Sequence, residues 1–179
     1  LDVFLAQIRD EEIDYSVAAP AILTTLAHDE GRIDSLSGTR LRALGSGGGP
    51  LPEATVRTLA ECHGIDIVNY FGTNEGASLT SSSLDLPDPT LRSQYFPRFG
   101  AGGHEWRLPV SRRVSTRLVD PGTGEDIAAP GKPGELRVKG PAIFSGYWDA
   151  PELTARAFDE KGYYCTGDLF EIAGDRKST

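Results

Sequence analysis

The chain has 179 residues, 39% of them hydrophobic and 25% charged, with a net charge of −8. That charge argues against a nucleic-acid binder that tracks phosphates, and no apolar run reaches the ~18 residues of a membrane span. Its two cysteines, Cys62 and Cys165, lack metal-type spacing, which disfavours a structural disulfide or thiolate zinc site and points to a reducing, cytoplasmic setting.

In chain order, 1-LDVFLAQIRDEEI-13 carries Val3, Phe4 and Ile8 about one turn apart and predicts an amphipathic helix. The uncharged 15-YSVAA-19 reads as a buried strand, Pro20 as a helix start, and 21-AILTTLAHDEG-31 as a helix that Gly31 ends. A strand then enters the glycine-rich loop 45-GSGGGP-50. The helix 52-PEATVRTLAECHG-64 follows, with Val56, Leu59 and Ala60 inward, and then the strand 65-IDIVNYFG-72. Alternation of this kind implies βαβ units and a parallel sheet. From residue 77 the period is lost, and 77–112 reads as a long ordered insertion. The runs 113-RVSTRLVD-120 and 134-GELRVKG-140 suggest antiparallel sheet or a small barrel, followed by a helix at 151-PELTARAF-158 and a strand pair near 162–172. The expected fold is α/β: part of a doubly wound parallel sheet layer over 1–76, connecting loops over 77–112, and a β-rich, distorted barrel-like lobe over 113–179.

Three loops could carry chemistry. Consecutive glycines after a strand allow close backbone approach to a ligand, yet 45-GSGGGP-50 lacks both the P-loop lysine and the dinucleotide fingerprint. In 69-NYFGTNEG-76 an aromatic face, an amide and a carboxylate sit at the carboxyl end of a strand, where open parallel sheets bind ligands. Phe71 could stack on a planar base, Asn69 could pair with its edge, and Glu75 could hold a hard cation. The alternative is that Phe71 is core and Glu75 caps a helix. In 163-YYCTGDLFEI-172 the turn Thr166–Asp168 could offer a carboxylate to vicinal hydroxyls or serve only as an Asx-turn. Cys165 reads as a packed thiol, and His28, His63 and His104 lack any catalytic or metal-ligand spacing.

In order, these loops resemble the adenylate-forming superfamily of acyl- and aryl-CoA synthetases, luciferases and peptide-synthetase adenylation domains. The segment 47-GGGPLP-52 is similar to the family's G-G-A-P-L, with Gly49 in the alanine place. The segment 71-FGTNEG-76 is similar to Y-G-x-T-E, with Phe71 for tyrosine and Asn74 for threonine. The block 146-GYWDAPELTARAFDEKGYYCTGDL-169 matches the family's G-Y-x-x-x-P-E-x-T…T-G-D-L over more than twenty positions and is the most specific of the three. The resemblance implies that Gly48, Gly49 and Pro50 wall one side of adenine and Phe71 the other. Gly72 would follow in the same strand end, and Asn69 would meet the adenine amino edge. It further implies Asn74 at the α-phosphate, Glu75 as the Mg²⁺ ligand and Asp168 on the ribose hydroxyls.

The implied activity is that of an ATP-dependent ligase. It would join a small-molecule carboxylic acid to AMP and pass the acyl group to a thiol, with ATP, Mg²⁺ and coenzyme A taking part and no nucleic acid. Delivery to a carrier protein, or a non-catalytic nucleotide-binding or scaffold domain, are the alternatives. No methionine occurs, even at position 1, so the chain is expected to be cut from a longer protein. The family's phosphate loop and its C-terminal lysine lobe are expected outside the chain, with 174-GDRKST-179 near the hinge and the piece inert by itself.

Overall fold

The computed structural model describes residues 1–174; the expected approach to the hinge beyond Gly174 lies outside the described residues. The chain divides into two compact units. The first comprises Leu1–Gly72 and Leu79–Pro97; the second comprises Thr73–Ser78 and the chain from Arg98 onward. The 77–112 segment is thereby split between them.

The first unit is built on a four-stranded sheet ordered β1 (Tyr15–Val17), β2 (Ala43–Gly47), β3 (Asp66–Gly72), β4 (Ser78–Ser81). The first three strands run parallel, with Leu44 opposite Ile67 and Ser46 opposite Asn69, as the alternation of elements predicts. Helices α1 (Asp2–Asp10), α2 (Pro20–His28), α3 (Glu30–Asp34) and α4 (Glu53–Arg57) supply the core partners of the sheet, and α4 continues into a π-helical turn over Thr58–Cys62. Leu23, Leu26, Leu44, Val56, Leu59 and Ile67 are fully buried in one core. Ala60, predicted on the inner stripe of this helix, is half-buried.

Three local expectations are corrected here. The strand read as buried at 15–19 is β1, whose Tyr15 and Val17 are exposed. Gly31 does not end a helix. The helix stops at His28, where Asp29 turns extended (φ −118°, ψ 90°) and then caps α3 by accepting the Arg32 N–H at 3.0 Å. The aperiodic stretch after residue 77 holds β4 and a helix, α5 (Pro89–Gln94), whose first turn is capped by the Asp88 carboxylate on the Thr90 N–H at 2.8 Å. Its Arg92 is 3% exposed and reaches Asp66 at 3.1 Å and the carbonyls of Leu86 and Pro87. Tertiary bonds of this kind, rather than periodicity, order the segment.

The second unit contains a three-stranded antiparallel sheet ordered β5 (Ser115–Val119), β6 (Pro133–Lys139), β7 (Tyr164–Glu171), with α6 (Pro151–Ala157) between the last two. Of the two forms foreseen, the described strands take the antiparallel sheet. The expected terminal strand pair is one strand, β7, interrupted by a bulge. Glu135 faces Leu169 and Arg137 faces Cys165, so Thr166, Gly167 and Asp168 together oppose Leu136. Thr166–Asp168 is therefore a bulge and not a turn before a strand. Leu118, Val119, Leu136, Val138, Phe99 and Tyr164 form the buried interior of this unit.

Asp159 ties the sheet to the chain entering β7. Its carboxylate meets Arg117 at 2.6 Å and Arg137 at 3.2 Å and also accepts the Lys161 and Tyr163 N–H groups. Burial acts to raise its pKa, but the Tyr163 N–H and the Arg137 guanidinium outweigh it, and the net shift is downward. A carboxyl lowered on folding adds stability above its unfolded pKa and loses it as pH falls through the folded value. Asp159→Asn should cost about 3 kcal/mol at neutral pH. It should also flatten the acid limb of stability against pH, measured by urea unfolding between pH 7 and pH 3; an unchanged acid limb would remove Asp159 from this role.

Candidate functional site

The two units are described in turn. In the first, the glycine loop leaves the carboxyl end of β2 as Phe71 and Gly72 complete β3. The parallel register sets Gly47 beside Tyr70, so both lie on the same sheet edge. Gly48 has φ 78°, in the left-handed region, and Gly48, Gly49 and Pro50 are exposed. A Cβ at Gly49 would come no nearer than 3.9 Å, to the Pro20 ring, so an alanine fits the backbone here. Phe71 is half-buried and meets Phe96 edge-on, with ring centres 6.3 Å apart. Gly72 ends the strand, exposed.

Asn69 is 5% exposed and its Nδ2 donates to the carbonyls of Arg92 at 3.0 Å and Ser93 at 3.3 Å, at the end of α5. The amide is thus a tie between β3 and the orphan carbonyls of a helix terminus, a role the sequence reading did not assign. Both donor hydrogens are spent there, and Oδ1 is the side chain's acceptor.

In the second unit, residues 73–76 form the turn between β3 and β4. The Thr73 carbonyl accepts the Gly76 N–H at 3.1 Å, and the Thr73 N–H donates to Ala77 at 2.9 Å. No helix follows, so the reading of Glu75 as a helix cap fails. Asn74 is exposed at the tip. Gly76 has φ 92°, and a Cβ there would overlap the Ala142 carbonyl oxygen, so the turn requires glycine on two counts.

That approach aligns Glu75 with the 142–147 segment. The Glu75 carbonyl accepts the Phe144 N–H at 2.8 Å and its Oε1 accepts the Tyr147 hydroxyl at 3.0 Å. Its own backbone N–H and the Tyr147 hydroxyl, with help from Tyr164, hold the carboxyl below the usual range against opposing burial. Both tyrosine hydroxyls are correspondingly harder to ionise: Tyr147 mainly through its bond to Glu75, Tyr164 mainly through burial. The rings of Phe144, Tyr147, Phe158 and Tyr164 pack with centres 4.7–6.1 Å apart. The sequence reading missed Tyr147 and Tyr164; their signal is the pair of aromatic runs 146-GYW-148 and 162-GYY-164 inside the long block.

Asp168 stands exposed in the β7 bulge. Gly167, with φ 76°, donates its N–H to Glu135 at 3.2 Å, the Thr166 hydroxyl donates to the Leu136 carbonyl at 2.7 Å, and the Asp168 N–H returns to that hydroxyl at 3.1 Å. The backbone is fixed while the Asp168 carboxylate has no partner among the described residues. Cys165 is a partly buried thiol whose pKa burial pushes up, which suits packing and not nucleophilic attack. His28 bonds the Thr24 carbonyl at 2.7 Å in the last turn of α2, a helix-end role. Among the described residues no group of three or more His, Cys, Asp or Glu is arranged to hold a metal.

A parallel α/β sheet whose carboxyl edge carries a glycine loop and an aromatic strand end is the architecture of a ligand-binding α/β protein. The AMP-binding enzyme family model matches residues 1–148, and the chain belongs to that family. It is 35% identical over 131 residues to the medium-chain fatty-acid–CoA ligase of Escherichia coli K12, covering 72% of this chain and 20% of that protein. It is 31% identical over 162 residues to triostin synthetase I of Streptomyces triostinicus, covering 90% of this chain and 27% of that one. Among solved structures, apo MatB from Rhodopseudomonas palustris superposes with a TM-score of 0.68 at 26% identity, over 96% of this chain and 30% of MatB. The chain therefore spans about 20–30% of the length of these relatives.

Two outcomes follow from the turn. Gly76→Ala must displace the Ala142 backbone and hold alanine at positive φ, which should cost about 2–4 kcal/mol in chemical denaturation. Stability within experimental error of the wild type would show that the two segments do not meet. Tyr147→Phe should move the Glu75 pKa up towards the ordinary carboxylate range in a carbon-13 NMR titration. A Glu75 titration that does not move would break the assigned bond.

Proposed function

We propose that the chain is part of an AMP-forming acid–thiol ligase. A carboxylate oxygen of the acid bonds to the α-phosphorus of ATP while the bond from that phosphorus to the pyrophosphate oxygen breaks, giving an acyl-adenylate; a thiol then displaces AMP at the acyl carbon. The observation that carries the reading is the Glu75 carboxylate, held ionised by neutral hydroxyl donors on a turn that continues directly from the aromatic end of β3.

The residues fit a nucleotide and its metal. Gly48, Gly49, Pro50, Phe71 and Gly72 offer backbone and an aromatic face for adenine, and Asn69 retains an acceptor suited to the adenine amino group. Asn74 would donate its amide to the α-phosphate and Asp168 would accept from the ribose hydroxyls. One hard carboxylate without a cationic neighbour suits Mg²⁺, which takes one or two carboxylates and completes its shell with phosphate oxygens and water. When bound, that ion would withdraw charge from the phosphates. The chain's own part is positioning: the Tyr147 hydroxyl orients Glu75 without neutralising it, and the bulge around Gly167 fixes Asp168.

Coenzyme A is the acceptor we favour, because the matched relatives include a fatty-acid–CoA ligase and, at 33% identity, the 4-coumarate–CoA ligase-like 9 protein of Arabidopsis thaliana. ATP is supported as the nucleotide by the likeness to MatB, whose ATP-bound form superposes with a TM-score of 0.68 at 27% identity. We place the reaction in the cytoplasm on the two unpaired cysteines. The test is ATP–pyrophosphate exchange by the full-length parent over a panel of carboxylic acids. Glu75→Gln should lower exchange about 100-fold or more, and Asp168→Ala should raise the KM for ATP about 10- to 100-fold. Acid-independent exchange, or exchange unaltered in both variants, would overturn the reading.

A further inference from the structure

The block 146–169 is the most family-like stretch of the chain, yet none of the nucleotide or metal roles falls on its helix α6. No residue of this helix is buried, so burial of an apolar face does not account for it. Just past its C-terminal end the Phe158 ring stacks on Phe144, with ring centres 5.6 Å apart. In its middle, Thr154 reaches back to the loop that precedes the helix.

The Thr154 hydroxyl donates to the Ala150 carbonyl at 3.0 Å, the same carbonyl that accepts the Thr154 N–H at 3.0 Å. Such a back-bond is ordinary for a helical threonine and by itself has no function. Here it spends the hydroxyl hydrogen and leaves the oxygen as an acceptor. That oxygen takes the Tyr147 N–H at 2.9 Å. Position 146 is glycine for the same reason. A Cβ there would lie 2.7 Å from Thr154 Cγ2 and 2.9 Å from its Oγ1, displacing the acceptor. The loop between turns at Asp149, whose φ is 49°.

Tyr147 is the residue whose hydroxyl donates to Glu75 Oε1 at 3.0 Å. Its ring meets Phe144 edge-on, with centres 4.7 Å apart, and the residue is 40% exposed. Packing on one side constrains the ring, but the reach of the hydroxyl also depends on where the Tyr147 backbone sits. A backbone displacement of about 1 Å is enough to take the hydroxyl out of bonding range.

We propose that Thr154 is a positioning residue for the Glu75 carboxylate, fixing the Tyr147 backbone and, through the Tyr147 hydroxyl, the direction of Oε1. The glycine and the threonine of the block thereby share one role, Gly146 leaving the room that the Thr154 oxygen occupies. The bearing of this link on catalysis rests on the reading of Glu75 as the metal carboxylate, while the link itself stands on the hydrogen bonds.

Thr154→Val keeps the side-chain shape and removes both hydroxyl bonds, whereas Thr154→Ser keeps them. In the metal-free 179-residue chain, NMR should show contacts between the Tyr147 ring and the Glu75 side chain in the wild type and in the serine variant. Thr154→Val should lose them and exchange its Tyr147 amide hydrogen about five- to ten-fold faster. Gly146→Ala, which crowds the Thr154 oxygen, should do the same. In the full-length parent, Thr154→Val should lower kcat for ATP–pyrophosphate exchange about five-fold and leave the KM for the acid unchanged. It should add nothing to the effect of Tyr147→Phe. Unaltered ring contacts in Thr154→Val, or a loss that adds to that of Tyr147→Phe, would overturn the role. Lost contacts with pyrophosphate exchange unaltered in Thr154→Val and Glu75→Gln alike would keep the link and overturn the metal reading instead.

Discussion

No side chain can stand between residue 76 and the Ala142 carbonyl, and the geometry of the Glu75 turn depends on that closeness. Because the backbones meet, the Phe144 N–H reaches the Glu75 carbonyl, and the Phe144 ring enters the cluster that supports Tyr147 and Tyr164. The carboxylate is then aimed by packing and by hydroxyl donors. This distinction matters electrostatically. An arginine in place of Tyr147 would cancel the charge, whereas a hydroxyl stabilises the anion and leaves its field available to a cation.

The buried amide of Asn69 shows the same economy in the first unit. A six-residue helix such as α5 has few intrahelical bonds and several orphan carbonyls at its end. Asn69 donates to two of them from the middle of β3, and Arg92 binds outward from the helix to Asp66 and to the chain before it. A segment with no periodicity of its own is thereby fastened to the strand that ends at Phe71. Asn69 could not be assigned this task from sequence, since its partners lie 23 and 24 residues away.

Sequence pattern reached the parallel strands because each is a short apolar run punctuated by glycine or proline, and their alternation with helices dictates parallel pairing. It failed where local signals compete. Gly31 looked like a helix stop, yet Asp29 supplies both the stop and the next cap two residues earlier. Thr-Gly-Asp looked like a turn because Gly167 takes positive φ, but the same conformation inserts extra residues into a strand without ending it. Glu75 is conspicuous in the sequence as a carboxylate at a strand end. Tyr147 and Tyr164 were passed over because their importance lies in hydroxyls that converge from 72 and 89 positions away.

In the proposed nucleotide site Asn74 would stand in the place of the family's threonine, and its setting bears on that reading. The side chain projects from the exposed tip of a hydrogen-bonded turn, where asparagine is among the residues best suited to the backbone. Threonine offers one hydroxyl hydrogen, while a primary amide offers two and reaches further from the main chain. A phosphate oxygen requires a donor, and nothing in the turn consumes the Asn74 amide. The exchange therefore preserves the kind of contact available while making the turn itself easier to form, so the burden of precise placement shifts to the fixed neighbours on either side, Glu75 and the end of β3.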